Sequence, residues 1–179
     1  ERPFARGTII PHSRVGRPRC YASPWARVFA VSVHATTEAL AANAARAQSS
    51  GVSADDLAYQ ETILRDVSRT FALTIPQLPV GLRTVVGNAY LLCRIADSIE
   101  DSPALSINQK FAFSEAFAEI VEGSRAAEGF DAELAGALTH GSLDAERDLV
   151  RNTARVVRLT HSFTQPERAA LSRCVRIMT

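Results

Sequence analysis

Lysine is nearly missing from this chain: Lys110 is its only one among 20 basic residues, and the formal net charge is +1. A near-neutral balance gives no footprint for nucleic acid, where a basic face is the first sign. Cysteine is scarce too. Cys20, Cys93 and Cys174 are odd in number and far apart, which fits neither a disulfide framework nor a zinc site with paired cysteines, and points to a reducing compartment. No apolar run approaches the roughly 20 residues that cross a bilayer. Methionine occurs once, at Met178, and the first residue is Glu1, so the sequence reads as a piece of a longer reading frame. The four histidines, His12, His34, His140 and His161, have no ligand-like spacing.

What is present divides at about Ser53. Residues 1–35 carry four of the eight prolines, six arginines and one acid without periodicity, and 1–52 reads as a disordered or non-native extension. An acid-poor, arginine-rich start also suits a transit peptide. The Ala-rich run from Thr36 to Ala47 has helix propensity but few large apolar groups to bury.

From Ser53 to the end the pattern is all-α, with no strand or hairpin signal. Ser53 with Asp55 and Asp56 opens a first predicted helix, carried by Leu57, Ile63, Leu64, Val67 and Phe71 until Pro76. A second spans Val80 to Asp101. A third starts at a capping box, Ser106 to Gln109, and ends near Gly123. A fourth spans Phe130 to His140 and a fifth Leu143 to Ser162. Thr164 to Glu167 is another capping box, opening a sixth that runs to Thr179.

The second predicted helix is apolar around most of its circumference, as a buried helix is. Its polar residues Tyr90, Arg94, Asp97 and Asp101 stand at i, i+4, i+7 and i+11, within a strip of roughly 60°. Charge buried in a line requires a cation, a partner or water. Carboxylates one turn apart, with Glu100 beside them, are hard oxygen ligands of the kind Mg²⁺ shares with substrate phosphates. The same spacing also suits solvated acids near a helix end, with Arg94 paired to Asp97 or Asp101. Asp144, Glu146 and Asp148 read as first-turn helix acids, and Arg147, Arg151, Arg155 and Arg158 as a solvated basic strip.

Wording then adds what spacing lacks. Val67-Ser-Arg-Thr-Phe-Ala72, Ile75-Pro, Leu78-Pro, Leu82-Arg83 and Tyr90-Leu-Leu-Cys-Arg-Ile-Ala-Asp-Ser-Ile-Glu-Asp101 closely resemble the opening of the squalene/phytoene synthase family. The resemblance implies an all-α isoprenoid synthase-type bundle around a central cavity, incomplete in this sequence. It implies Mg²⁺-diphosphate binding by Asp97 and Asp101, diphosphate contacts from Ser68, Arg69, Thr70 and Arg94, catalytic roles for Tyr90 and Arg94, and a cavity wall at Phe71 and Tyr90. Plain core packing is the competing reading for Phe71 and Tyr90. Ser98 stands where phytoene synthases usually have a second aspartate, so the wording resembles squalene synthase more. That implies condensation of two farnesyl diphosphates head to head, through presqualene diphosphate, to squalene with NADPH. The rival readings are a phytoene or dehydrosqualene synthase that uses no reductant, and a catalytically silent assembly factor. The family's second aspartate-rich motif, its later tyrosine and its NADPH-binding groups have no match in this sequence. A cytoplasmic monomer, with peripheral membrane association open, completes the expectation.

Overall fold

A computed structural model describes residues 53–138 and 144–179 of the chain, so expectations for residues 1–52, including Cys20, His12 and His34, and for His140, lie outside the described residues. Eight α-helices form there and no strand does.

Helix α1 is Ala54–Val67, with Asp55 and Asp56 in the first turn, where the macrodipole favours acids. The sequence predicts one helix through to Pro76, but the chain breaks at Ser68, which is extended at φ −158° and ψ 107°. Its hydroxyl accepts from the Phe71 amide at 3.2 Å and caps a new helix, α2, Arg69–Thr74. A single 3₁₀ turn, Ile75–Gln77, carries Pro76.

Helix α3, Val80–Glu100, matches its predicted span within one residue. Leu91, Leu92, Ile95 and Ile99 on it are almost wholly sequestered, at 1% exposure or less. Helices α4, Ile107–Glu122, and α8, Gln165–Met178, begin at Ser106 and Thr164, and both halves of each predicted capping box form. Gly123 ends α4 in the left-handed region at φ 85°, a conformation that costs glycine little.

Helix α5 is Phe130–Ala137, shorter than predicted. The fifth predicted helix is two, α6 at Asp144–Arg151 and α7 at Thr153–Ser162. Asn152 separates them. Its side-chain amide donates to the Asp148 carbonyl at 2.9 Å, while the Thr153 hydroxyl donates to the Val150 carbonyl at 2.7 Å. Such local bonds compete with helix continuity.

Helix α3 is the axis of the described core and packs against α1, α4, α6, α7 and α8. A buried polar relay crosses it: Gln60 donates to Asn88 at 3.4 Å and to the Thr84 carbonyl at 3.0 Å, and Asn88 donates to Thr160 at 2.6 Å. Satisfied buried amides of this kind specify which helices meet. Phe130 packs edge-on to Phe113 and stacks on Phe117, joining α5 to α4. Arg176 of α8 grips Glu115 and Glu122 of α4. Cys93 and Cys174 are free thiols with sulfurs 3.6 Å apart, and the hydrogen bond between them, together with burial, raises the Cys93 pKa.

The basic strip expected to be solvated is not so at its end. Arg155 and Arg158 of α7 both bond Asp56, Arg155 also reaches Asp55, and its guanidinium lies 4.6 Å from the centroid of the Tyr59 ring. These contacts tie α1 to α7.

Candidate active site

Because α3 is regular, Tyr90, Arg94, Asp97 and Asp101 follow one line along it. Tyr90 is buried, and its ring meets Phe71 of α2 with centroids 4.4 Å apart and planes tilted by 34°. The N-cap bond at Ser68 makes this contact possible, since it starts α2 where Phe71 can face α3. The two aromatic residues foreseen as cavity wall or core are thus packed together, one turn from the first charge.

That charge is Arg94. Its Nη1 lies 3.4 Å from Asp97 Oδ2, and its Nη2 is ion-paired with Oε1 of Glu146 on α6. Of the two intrahelical partners the spacing allows, the structure takes Asp97. All three side chains are partly withdrawn from water, at 25%, 21% and 20% exposure for Arg94, Asp97 and Glu146. Arg94 Nε is buried and has no hydrogen-bond partner among the described residues. Ser98 Oγ donates to the Arg94 carbonyl at 2.8 Å, so the residue at the variable aspartate position serves the backbone.

Burial pushes the Asp97 carboxyl above its ordinary range; Arg94 pulls it down, and the neighbouring Asp101 and Glu100 push it further up. Asp101 is the exposed C-cap of α3. It lines a cavity of about 170 Å³ with Ser98, Glu146, Arg147 and Arg151. Lys110 of α4 donates to the Glu100 carbonyl, placing a cation at the negative end of α3.

Arg69 and Thr70 are exposed, and Arg69 makes no ion pair among the described residues. The structure brings Phe71 against Tyr90 and, one turn on, Arg94 against Asp97 and Glu146, and shows neither Arg69 nor Thr70 in either contact. Sequence reading missed Glu146. It is in the first turn of α6, as expected of a helix acid, yet its carboxylate meets a guanidinium 52 positions away. Asp148 likewise has a distant partner, accepting from Tyr59 Oη at 3.0 Å. No local signal distinguishes either from an ordinary surface acid.

Among the described residues, no three His, Cys, Asp or Glu side chains are grouped so as to hold a metal ion. Nor is any described helix long and apolar enough to cross a membrane.

Comparison with known proteins bears on the same residues. The chain is 31% identical over 127 residues to a bifunctional lycopene cyclase/phytoene synthase of Sporisorium reilianum (strain SRZ2), covering 71% of this chain and 18% of that protein. It is 46% identical over 48 residues to a squalene synthase of Solanum lycopersicum, and 45% identical over 49 residues to one of Nicotiana benthamiana. Each of these two matches covers 27% of this chain and 12% of the relative, so the chain spans less than a fifth of the length of the curated relatives it matches. No solved structure matches it. The squalene/phytoene synthase profile matches residues 64–178, from the end of α1 through the Arg94–Asp97–Glu146 group to α8. On that match, which takes in most of the described helices, the chain belongs to the squalene/phytoene synthase family.

Proposed function

We propose that the protein is a prenyl transferase of the squalene synthase type, condensing two farnesyl diphosphates head to head through presqualene diphosphate to squalene. One observation carries the reading. A buried helix presents Arg94, Asp97 and Asp101 in line, one turn on from Tyr90, whose buried ring packs against Phe71. A prenyl diphosphate has the matching form, an anionic head on an apolar chain.

The donor chemistry fits Mg²⁺. Of the charges acting on Asp97, two are acids, Asp101 and Glu100, against Arg94, which it shares with Glu146, while Arg147 and Arg151 line the cavity further along. Such a local surplus of acid favours a divalent cation. Asp97 and Asp101 would hold it, with diphosphate and water supplying the other oxygens, as is usual for this ion. When bound, the ion would neutralise charge on the departing diphosphate. Arg94 would bind the same diphosphate as a fixed donor. Tyr90 and Phe71 would pack on the prenyl chain and exclude water from the cationic centre. Ser68, Arg69 and Thr70 are assigned to the diphosphate from their match to the family wording alone. NADPH would be the reductant, and no described residue is assigned to it.

The Solanum and Nicotiana squalene synthases support this version, being 46% and 45% identical over their shorter stretches. The phytoene synthase alternative is favoured by its longer match of 127 residues. The test is product analysis of the intact protein supplied with farnesyl diphosphate and Mg²⁺, with and without NADPH. Squalene formed only with NADPH is expected. A conjugated product without reductant, or consumption of geranylgeranyl diphosphate alone, would refute the squalene assignment. Asp97→Asn and Asp101→Asn should each lower kcat by roughly 10²-fold or more, the scale for removing a charge-stabilising group. Unchanged turnover would sink the metal role, and no turnover by the unsubstituted protein would leave the assembly-factor reading.

A further inference from the structure

We infer that Glu146, which lines the cavity beside Asp101, is a positioning residue for Arg94, locking its guanidinium between α3 and α6; this rests on the prenyl-diphosphate reading above.

The geometry argues for a held guanidinium rather than an incidental surface pair. Arginine has a long stem and many rotamers, and ordering it requires restraint from more than one side. Its intrahelical partner Asp97, at 3.4 Å and three residues on, is a weak restraint by itself. Glu146 supplies the second restraint from another helix and takes the other terminal nitrogen. Both Nη edges are therefore engaged by acids, while Nε stays buried and unpartnered. A guanidinium placed only for stability would be expected to satisfy all its buried donors. This one is turned so that the terminal edge meets the acids, leaving Nε unsatisfied.

Glu146 is itself held firmly. Helix α6 docks through Leu149 and Val150, both buried, and Asp148 of the same helix accepts the Tyr59 hydroxyl. The break at Asn152 sets where α6 ends. The carboxylate thus stands on a short, anchored element and lines the same cavity as Asp101 and Ser98. Supporting groups of this sort orient the residues that touch a ligand and typically matter by 10- to 100-fold in affinity or activity.

The experiment is a double-mutant cycle in the intact protein, with Glu146→Gln made alone and together with Arg94→Lys. Binding of inorganic pyrophosphate with Mg²⁺ is read by calorimetry, and the thermal midpoint is recorded for each variant. Glu146→Gln should weaken pyrophosphate binding by about tenfold. In the Arg94→Lys background, where the fork that Glu146 orients is gone, the same change should cost less than about twofold. Glu146→Asp, which keeps the charge on a shorter stem, should recover part of the affinity.

Equal losses in both backgrounds would overturn the inference, since a plain helix tether does not depend on Arg94. So would a fall in thermal midpoint with pyrophosphate affinity intact. Should the unsubstituted protein bind no magnesium pyrophosphate at all, the diphosphate reading falls and this inference with it. Binding retained by the unsubstituted protein but indifferent to Glu146 removes only the positioning role.

Discussion

At Asp97 the demands of folding oppose those of the proposed metal role. Burial raises its carboxyl pKa, and Asp101 and Glu100 add to that against the lowering by Arg94. An acid whose pKa rises on folding favours the fold while protonated. That contribution is complete below the ordinary value of 3.8 and is lost as pH climbs through the raised value. At neutral pH the ionised carboxylate therefore weighs against folding. Asp97→Asn, which mimics the neutral form, should raise the thermal midpoint at neutral pH while, on the proposed metal role, it lowers kcat. The gain should disappear below about pH 3.8, where the natural residue is itself neutral. Melting curves across that range check it, and a lower midpoint at neutral pH would contradict the account.

At the scale of elements, the attachment of α1 to α7 has the opposite sign. Burial alone would raise the Asp56 carboxyl, but hydrogen bonds and charge from Arg158 and Arg155 outweigh it and hold it below 3.8. A lowered acid stabilises the fold above its unfolded value, and the contribution is lost as pH falls through the lowered one. Asp56→Asn leaves two arginines without their shared carboxylate. It should cost about 3 kcal/mol at neutral pH, the lower end for breaking a buried pair, because Arg158 is largely exposed. Urea denaturation at neutral pH and in strong acid measures this, and the difference between variant and parent should shrink in acid. Helix boundaries show the same dependence on neighbours. The start and stop of α4 were legible, because Ser106, Gln109 and Gly123 act within one turn of the ends they fix. The breaks at Ser68 and Asn152 were not. Serine and asparagine are tolerated inside helices, and their side chains compete with the backbone only where packing lets the chain turn.

For the molecule as a whole, stability should concentrate where α3 meets its five neighbours. Leu92 is 1% exposed and Leu73 is 73% exposed, so the same truncation tests burial alone. Leu92→Ala should cost about 2–5 kcal/mol, and Leu73→Ala should fall within about 0.5 kcal/mol of the parent. Equal losses in chemical denaturation would mean that α3 is not the axis of the core. The amino-acid sequence by itself determined the all-α character and the line of Tyr90, Arg94, Asp97 and Asp101, because helical periodicity is a local property of consecutive residues. Its wording also placed the chain beside the squalene/phytoene synthases, which the family match then showed. Only the tertiary structure decided what faces that line. Phe71 reaches Tyr90 because Ser68 restarts the helix, Glu146 reaches Arg94 because α6 docks on α3, and Arg155 and the still exposed Arg158 turn to Asp56. Contacts across 50 to 100 positions depend on how whole helices pack, and no spacing within one helix encodes its partner on another.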